Sequence, residues 1–102
     1  MAIGRVQTMR GVVGIVKWFP NGNALAGDHF NAAAIDGYTV TRTRENVWAV
    51  VGRVVLSDAY KLSQRPLMFV APTKAGEFRW AIRSFEISGG VLRASLGDPS
   101  TS

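Results

Sequence analysis

A chain of 102 residues, 47% hydrophobic and 19% charged, has the size of one domain and the make-up of an ordinary globular protein, which excludes a second core and a largely disordered chain. It holds no cysteine and a single histidine, so disulfide frameworks, thiolate metal sites and Cys/His nucleophiles are excluded. Twelve basic residues, nine of them arginine, oppose seven acidic ones for a formal charge of +5, a balance that favours an anionic partner.

Residues 1 to 10 read as an N-terminal arm or a short edge strand around Ile3 to Val6. They lack a continuous apolar core, and no apolar run nears the ~20 residues of a membrane span. A soluble cytoplasmic protein with no membrane partner is expected, or a virion protein if the source is viral. Residues 11 to 97 read as a single β-barrel domain. From Gly11 to Phe19 the chain is β-branched and aromatic on both parities, which predicts a strand with little solvent on either face, and Pro20 to Asn23 end it in a turn.

Asp28 is placed to cap a short helix in which Phe30, Ala33 and Ala34 share a face, with Gly37 placed to terminate it. Tyr38 to Thr43 alternate like a half-exposed strand. Arg44 to Asn46 form a tight connection into Val47 to Leu56, the most apolar run of the chain and a central strand. Within it Gly52 marks a bulge or a close approach of other backbone. Ser57 and Asp58 predict a cap for one helical turn through Leu62. Leu67 to Ala71 form a short strand stopped by Pro72, and Thr73 to Gly76 turn the chain again.

Gly89-Gly90 lies between two apolar-rich runs as the loop of a hairpin. That register sets Ser88 against Val91, Ile87 against Leu92, Glu86 against Arg93 and Phe85 against Ala94. Phe78, Trp80 and Ile82 have the opposite parity to Phe85 and Ile87, which predicts a bulge near Arg83-Ser84 or a strand covered on both faces. Residues 98 to 102 read as a polar tail. The predicted fold is α+β and mainly β, a small, partly open barrel of about six mostly antiparallel strands with one or two short helices.

Three stretches in order, Val51 to Asp58, Pro66 to Val70 and Gly76 to Ile82, together with Arg10-Gly11-Val12-Val13, resemble the PUA-like barrels and the ASCH group in particular. The resemblance covers residues 10 to 97. It implies a barrel of the kind that often holds RNA or a modified base. The chain departs from that group in having no glycine-lysine-glutamate-arginine segment before Arg10, so the activity of the family's charged pocket is not implied. Gly14 to Asn21 also resembles the start of a cold-shock domain, a likeness that stops at Asn21.

No residues group as a catalytic set. His29 stands without ligand partners, and Asp28 and Asp36 are accounted for as ends of the predicted helix. A non-enzymatic protein with no cofactor and no metal is expected. Binding is the better expectation: Arg42, Arg44, Arg53, Arg79 and Arg83 are candidates for phosphate contacts, and Trp18 or Tyr38 for stacking on a base of RNA or DNA. Trp48 and Trp80 are expected mainly in the core. The competing reading is a protein-interaction module that mates with its own copies or with another protein, such as a viral structural component or a small virus-encoded inhibitor.

Overall fold

The computed structural model describes residues 4–6, 13–22, 28–73 and 76–101. Its strands are β1 (Gly4–Val6), β2 (Gly14–Trp18), β3 (Phe30–Arg44), β4 (Val47–Ser57), β5 (Leu67–Thr73), β6 (Gly76–Ser88) and β7 (Val91–Thr101), with one helical turn, α1 (Ala59–Leu62), between β4 and β5. All pairings are antiparallel, in the order β3-β2-β5-β6-β7-β4, and β4 returns to pair with β3, so six strands close a barrel. Closure goes further than the partly open barrel expected from sequence. β1 is an added strand beside the C-terminal half of β3, with Val6 opposite Val40.

Alternation fills the interior. Val16, Ile35, Val40, Val50, Leu67, Phe69, Trp80, Leu92 and Leu96 are essentially inaccessible to solvent. Phe69 and Trp80 pack with ring centroids 6.0 Å apart. No charged or polar residue is buried among the described residues, and side chains occupy the interior as small barrels require.

The largest departure from expectation is β3. Residues 28 to 37 do not form a helix; Phe30–Arg44 is one continuous strand. The alanines favour a helix only by fractions of a kcal/mol each. Against that, β3 gains ladders on both edges, with Ala34 opposite Ile15 of β2 and Leu56 of β4. Gly37 ends no helix. It is the extra residue of a bulge, since Asp36 pairs with Arg53 and Thr39 with Val51, and its φ of 59° lies in the left-handed region. The bulge lets Ile35 and Tyr38 both turn inward.

Opposite the bulge sits Gly52, beneath the Ile35 side chain. A Cβ there would collide with Ile35 Cγ2 and lie 2.8 Å from Tyr38 Cβ and 3.0 Å from Tyr38 Cα. The close approach expected at Gly52 is therefore present.

The hairpin has the expected register, Ser88 against Val91 through Phe85 against Ala94, and both loop glycines have positive φ, 60° and 76°. The parity conflict in β6 is resolved by a bulge: Ile82 pairs with Leu96 and Ser84 with Ser95, leaving Arg83 as the extra residue. Two ends run longer than expected. β5 continues through Pro72, opposite Glu77, and residues 98 to 101 extend β7, with Pro99 opposite Trp80. Asp58 caps α1 as expected, its Oδ1 accepting from the Lys61 N–H at 3.2 Å.

Gly52→Ala should cost about 1–3 kcal/mol in denaturant unfolding, because the obstructing atoms include backbone and core side chains. Gly37→Ala, which meets open space, should cost about 1–2 kcal/mol through its backbone conformation alone. Equal, negligible losses at both positions would contradict this account of the β3–β4 seam.

Candidate nucleic-acid interface

The predicted site residues do not form one cluster. The row Arg42–Trp48–Leu96–Ile82 crosses β3, β4, β7 and β6 side by side. At ~4.8 Å per strand it spans about 14 Å. Arg44 pairs with Val47 one step farther on, and Arg83 follows Ile82 on the outer wall, its Nε placed 3.4 Å from where a Gly97 Cβ would stand. Arg42 and Arg44 on β3 and Arg83 on β6 thus lie along one row of the barrel, Arg42 on the face shared with the buried Leu96 and Ile82 and Arg83 on the outer wall. Arg79 lies farther along β6, opposite Ser100, and bonds Glu77 through Nη2 at 3.2 Å.

The geometry at this end is specific. Arg42 stands over the Trp48 ring with its guanidinium carbon 6.0 Å from the centroid. Trp48 donates from Nε1 to Asp98 Oδ1 at 3.4 Å, and its ring lies 6.0 Å from Trp80. Nε of Arg42 is buried without a hydrogen-bond partner. Arg44 and Arg83 are exposed, and neither joins an ion pair among the described residues. Three carboxylates temper the charge here: Glu77 is held by Arg79, Asp98 accepts from Trp48, and Glu45 is exposed in the turn.

Arg53 is elsewhere. It lies five positions along β4 from Trp48, ~16 Å of strand, and its Nη2 is 2.6 Å from Asp36 Oδ2 on an open wall. The expectation that it joins the other arginines is corrected, because the β3 bulge puts Asp36 directly opposite. Such an exposed pair is worth at most ~1 kcal/mol.

Tyr38 is also corrected. It is 2% exposed inside the barrel, with its ring edge-on to Phe69 at 5.1 Å, and offers no face to a base. It begins the stretch expected from sequence to be a half-exposed strand, and the Gly37 bulge turns it inward. Its hydroxyl is buried without a partner, and burial pushes its pKa above the ordinary tyrosine range.

Trp18 lies at the opposite end of β3, half-buried against Phe30 at 5.6 Å and edge-on to Tyr60 at 6.2 Å. Lys61 Nζ sits 5.8 Å from the Phe30 centroid. His29 packs on Phe19, ring centroids 5.3 Å apart. Below this group, Asp58 is held under the usual carboxylate range, chiefly by the Lys61 backbone N–H and by the Lys61 ammonium.

One feature was missed from sequence. A groove of about 400 Å³ on the outer wall is lined by Val13, Ile15, Ala34, Leu56 and their neighbours, with Leu56 71% exposed. The signal was there, in runs apolar on both parities, but it reads as a strand buried on both faces. Among the described residues no cluster of three His, Cys, Asp or Glu side chains could hold a metal, and no helix is long and apolar enough to cross a membrane. Comparisons with protein-family models, curated proteins and solved structures give no match.

Tyr38→Phe should raise stability by about 1 kcal/mol at neutral pH, since it removes a buried hydroxyl that has no partner. The native protein keeps the neutral phenol longer than the unfolded chain does. Its contribution is therefore whole below the unfolded tyrosine pKa of ~10 and is lost as pH rises through the elevated native value. Alkaline denaturation followed for both proteins should show that loss in the native sequence and not in Tyr38→Phe.

Proposed function

We propose that this protein is a non-enzymatic nucleic-acid-binding module whose basic end, formed by Arg42, Arg44 and Arg83 with Arg79 beside them, grips an RNA or DNA backbone. The observation that carries the reading is that arginines distant in sequence, on β3 and β6, lie along one row of a closed barrel. Two of these guanidinium groups are exposed and free of ion pairs among the described residues. Arginines on strands that span ~14 Å side by side match several phosphates of a chain that carries one charge per 3.4 Å of strand. The formal charge of +5 supports the same partner, and so does the resemblance of residues 10 to 97 to PUA-like barrels.

A second reading is supported by the apolar groove. Val13, Ile15 and Leu56 present contiguous apolar side chains outside the barrel, as a protein-binding surface does. In that reading the chain is a protein-interaction module or assembles with its own copies. Light scattering after size exclusion reports the oligomeric state.

Binding of mixed-sequence RNA and DNA measured across ionic strength tests the first reading. Affinity should fall steeply with salt, and the double variant Arg44→Gln with Arg83→Gln should flatten the logarithmic slope by about 1–2. Arg53→Gln, on the remote wall and paired with Asp36, should leave both affinity and slope near native values. A flat salt response in the native protein would remove the proposal.

A further inference from the structure

We infer that the outer wall of β2, β3 and β4 is a self-complementary face on which a second copy of this chain docks to form a symmetric dimer; the inference rests on the second reading above and narrows it to one surface and one partner. Leu56, Ala34 and Ile15 stand side by side across the three strands, so two large side chains flank a small one. Neighbouring strands are ~4.8 Å apart, which sets the flanking backbones ~10 Å apart and leaves, above Ala34, a slot for one aliphatic side chain. This is the groove of about 400 Å³. A knob stands at its edge, since Leu56 is 71% exposed. The runs Gly11 to Phe19 and Val47 to Leu56 are largely apolar on both parities, a pattern of strands covered on both faces. Inside the barrel Val16 and Val50 are buried, whereas Val13 and Leu56 on the outer wall meet solvent.

A knob beside its own hole is what a two-fold interface needs, because the same patch serves both partners. A two-fold axis lying between the walls puts Leu56 of each copy into the groove of the other, and the two walls pack as the sheets of a sandwich do, ~10 Å apart with side chains interdigitated. Charge permits the approach. On a chain of formal charge +5, the ion pairs beside the groove are closed: Arg53 Nη2 is 2.6 Å from Asp36 Oδ2, and Lys61 Nζ is 3.3 Å from Asp58 Oδ2. Neutral pairs that meet across the axis turn head to tail, each carboxylate toward the cation of the other copy. Arg44 and Arg83, which join no ion pair among the described residues, lie away from this wall, Arg44 ten residues along β3 from Ala34 and Arg83 on β6. Three strands over the ~20 Å from Val51 to Ser57 make a small interface, below about 1,200 Å² in total, of the kind that holds partners weakly.

The test is sedimentation equilibrium of the full chain from about 1 μM to about 1 mM, the span of moderate to weak affinities. The average mass should climb with concentration from the 11.0 kDa of one chain toward twice that value and no further, because a two-fold interface closes at two. Leu56→Asp puts a carboxylate into the slot and should raise the dissociation constant at least about 100-fold. Ala34→Leu fills the slot from within and should do the same. Circular dichroism should report the native fold for Leu56→Asp, whose side chain lies outside the barrel, so that this variant decides even where Ala34→Leu fails to fold. Arg44→Gln should leave the dimer unchanged. A monomer at every concentration overturns the inference and self-assembly together. A dimer that survives a folded Leu56→Asp overturns this wall as the interface while leaving self-assembly intact, and masses beyond two chains overturn the symmetric mode.

Discussion

The barrel depends on the seam between β3 and β4. Five of the six inter-strand contacts would leave an open, twisted sheet with two raw edges; the sixth, from Ala33 against Ser57 to Arg44 against Val47, closes it. A strand of 15 residues cannot stay in register with a curving neighbour without relief, and β3 obtains that relief by inserting a residue at Gly37. The insertion reverses side-chain parity halfway along the strand. Ile35 and Tyr38 then both face inward, and only a residue without a Cβ fits beneath them at position 52.

The same seam arranges the surface. The bulge at Gly37 sets Asp36 against Arg53 and ties it, while nearer the turn Arg42 rests over Trp48 and a further register shift sets Arg44 beside Val47. On the other side of the barrel, the bulge at Arg83 aligns the inward series Phe78, Trp80, Ile82 with the inward Phe85. It also places a guanidinium on the outer wall next to Gly97, within reach of the same end. Irregularities of the ladders, at Gly37 and again between Arg42 and Arg44 on β3 and at Arg83 on β6, thus set which side chains fill the core and which arginines reach the surface. The aromatic rings at this end, Trp48, Phe78 and Trp80, pack on one another.

The chain's two surfaces differ in kind. At one end, guanidinium groups meet solvent together with the Glu45 and Asp98 carboxylates. On the wall formed by β2, β3 and β4, the alanines that suggested a helix leave a shallow groove bordered by Val13, Ile15 and Leu56. Small side chains at Ala33 and Ala34 create that depression; larger ones would fill it.

Much of the fold was legible in the residues themselves. Alternation in residues 78 to 96, with two adjacent glycines at the loop, determined the hairpin and its register, because a period of two admits only one pairing that keeps Phe85, Leu92, Ala94 and Leu96 on one side. The parity break announced the bulge near Arg83, and Asp58 announced the cap of α1. Residues 28 to 37 were not legible, since helix propensity is a local quantity and the ladders that overrule it come from residues 14 to 18 and 47 to 57. For the same reason the grouping of Arg42, Arg44 and Arg83, the separation of Arg53 and the burial of Tyr38 were decided only by tertiary structure. Sequence determines the face a side chain takes within an unbroken strand, but where a bulge shifts that parity, and which distant strand lies alongside, are properties of the closed barrel.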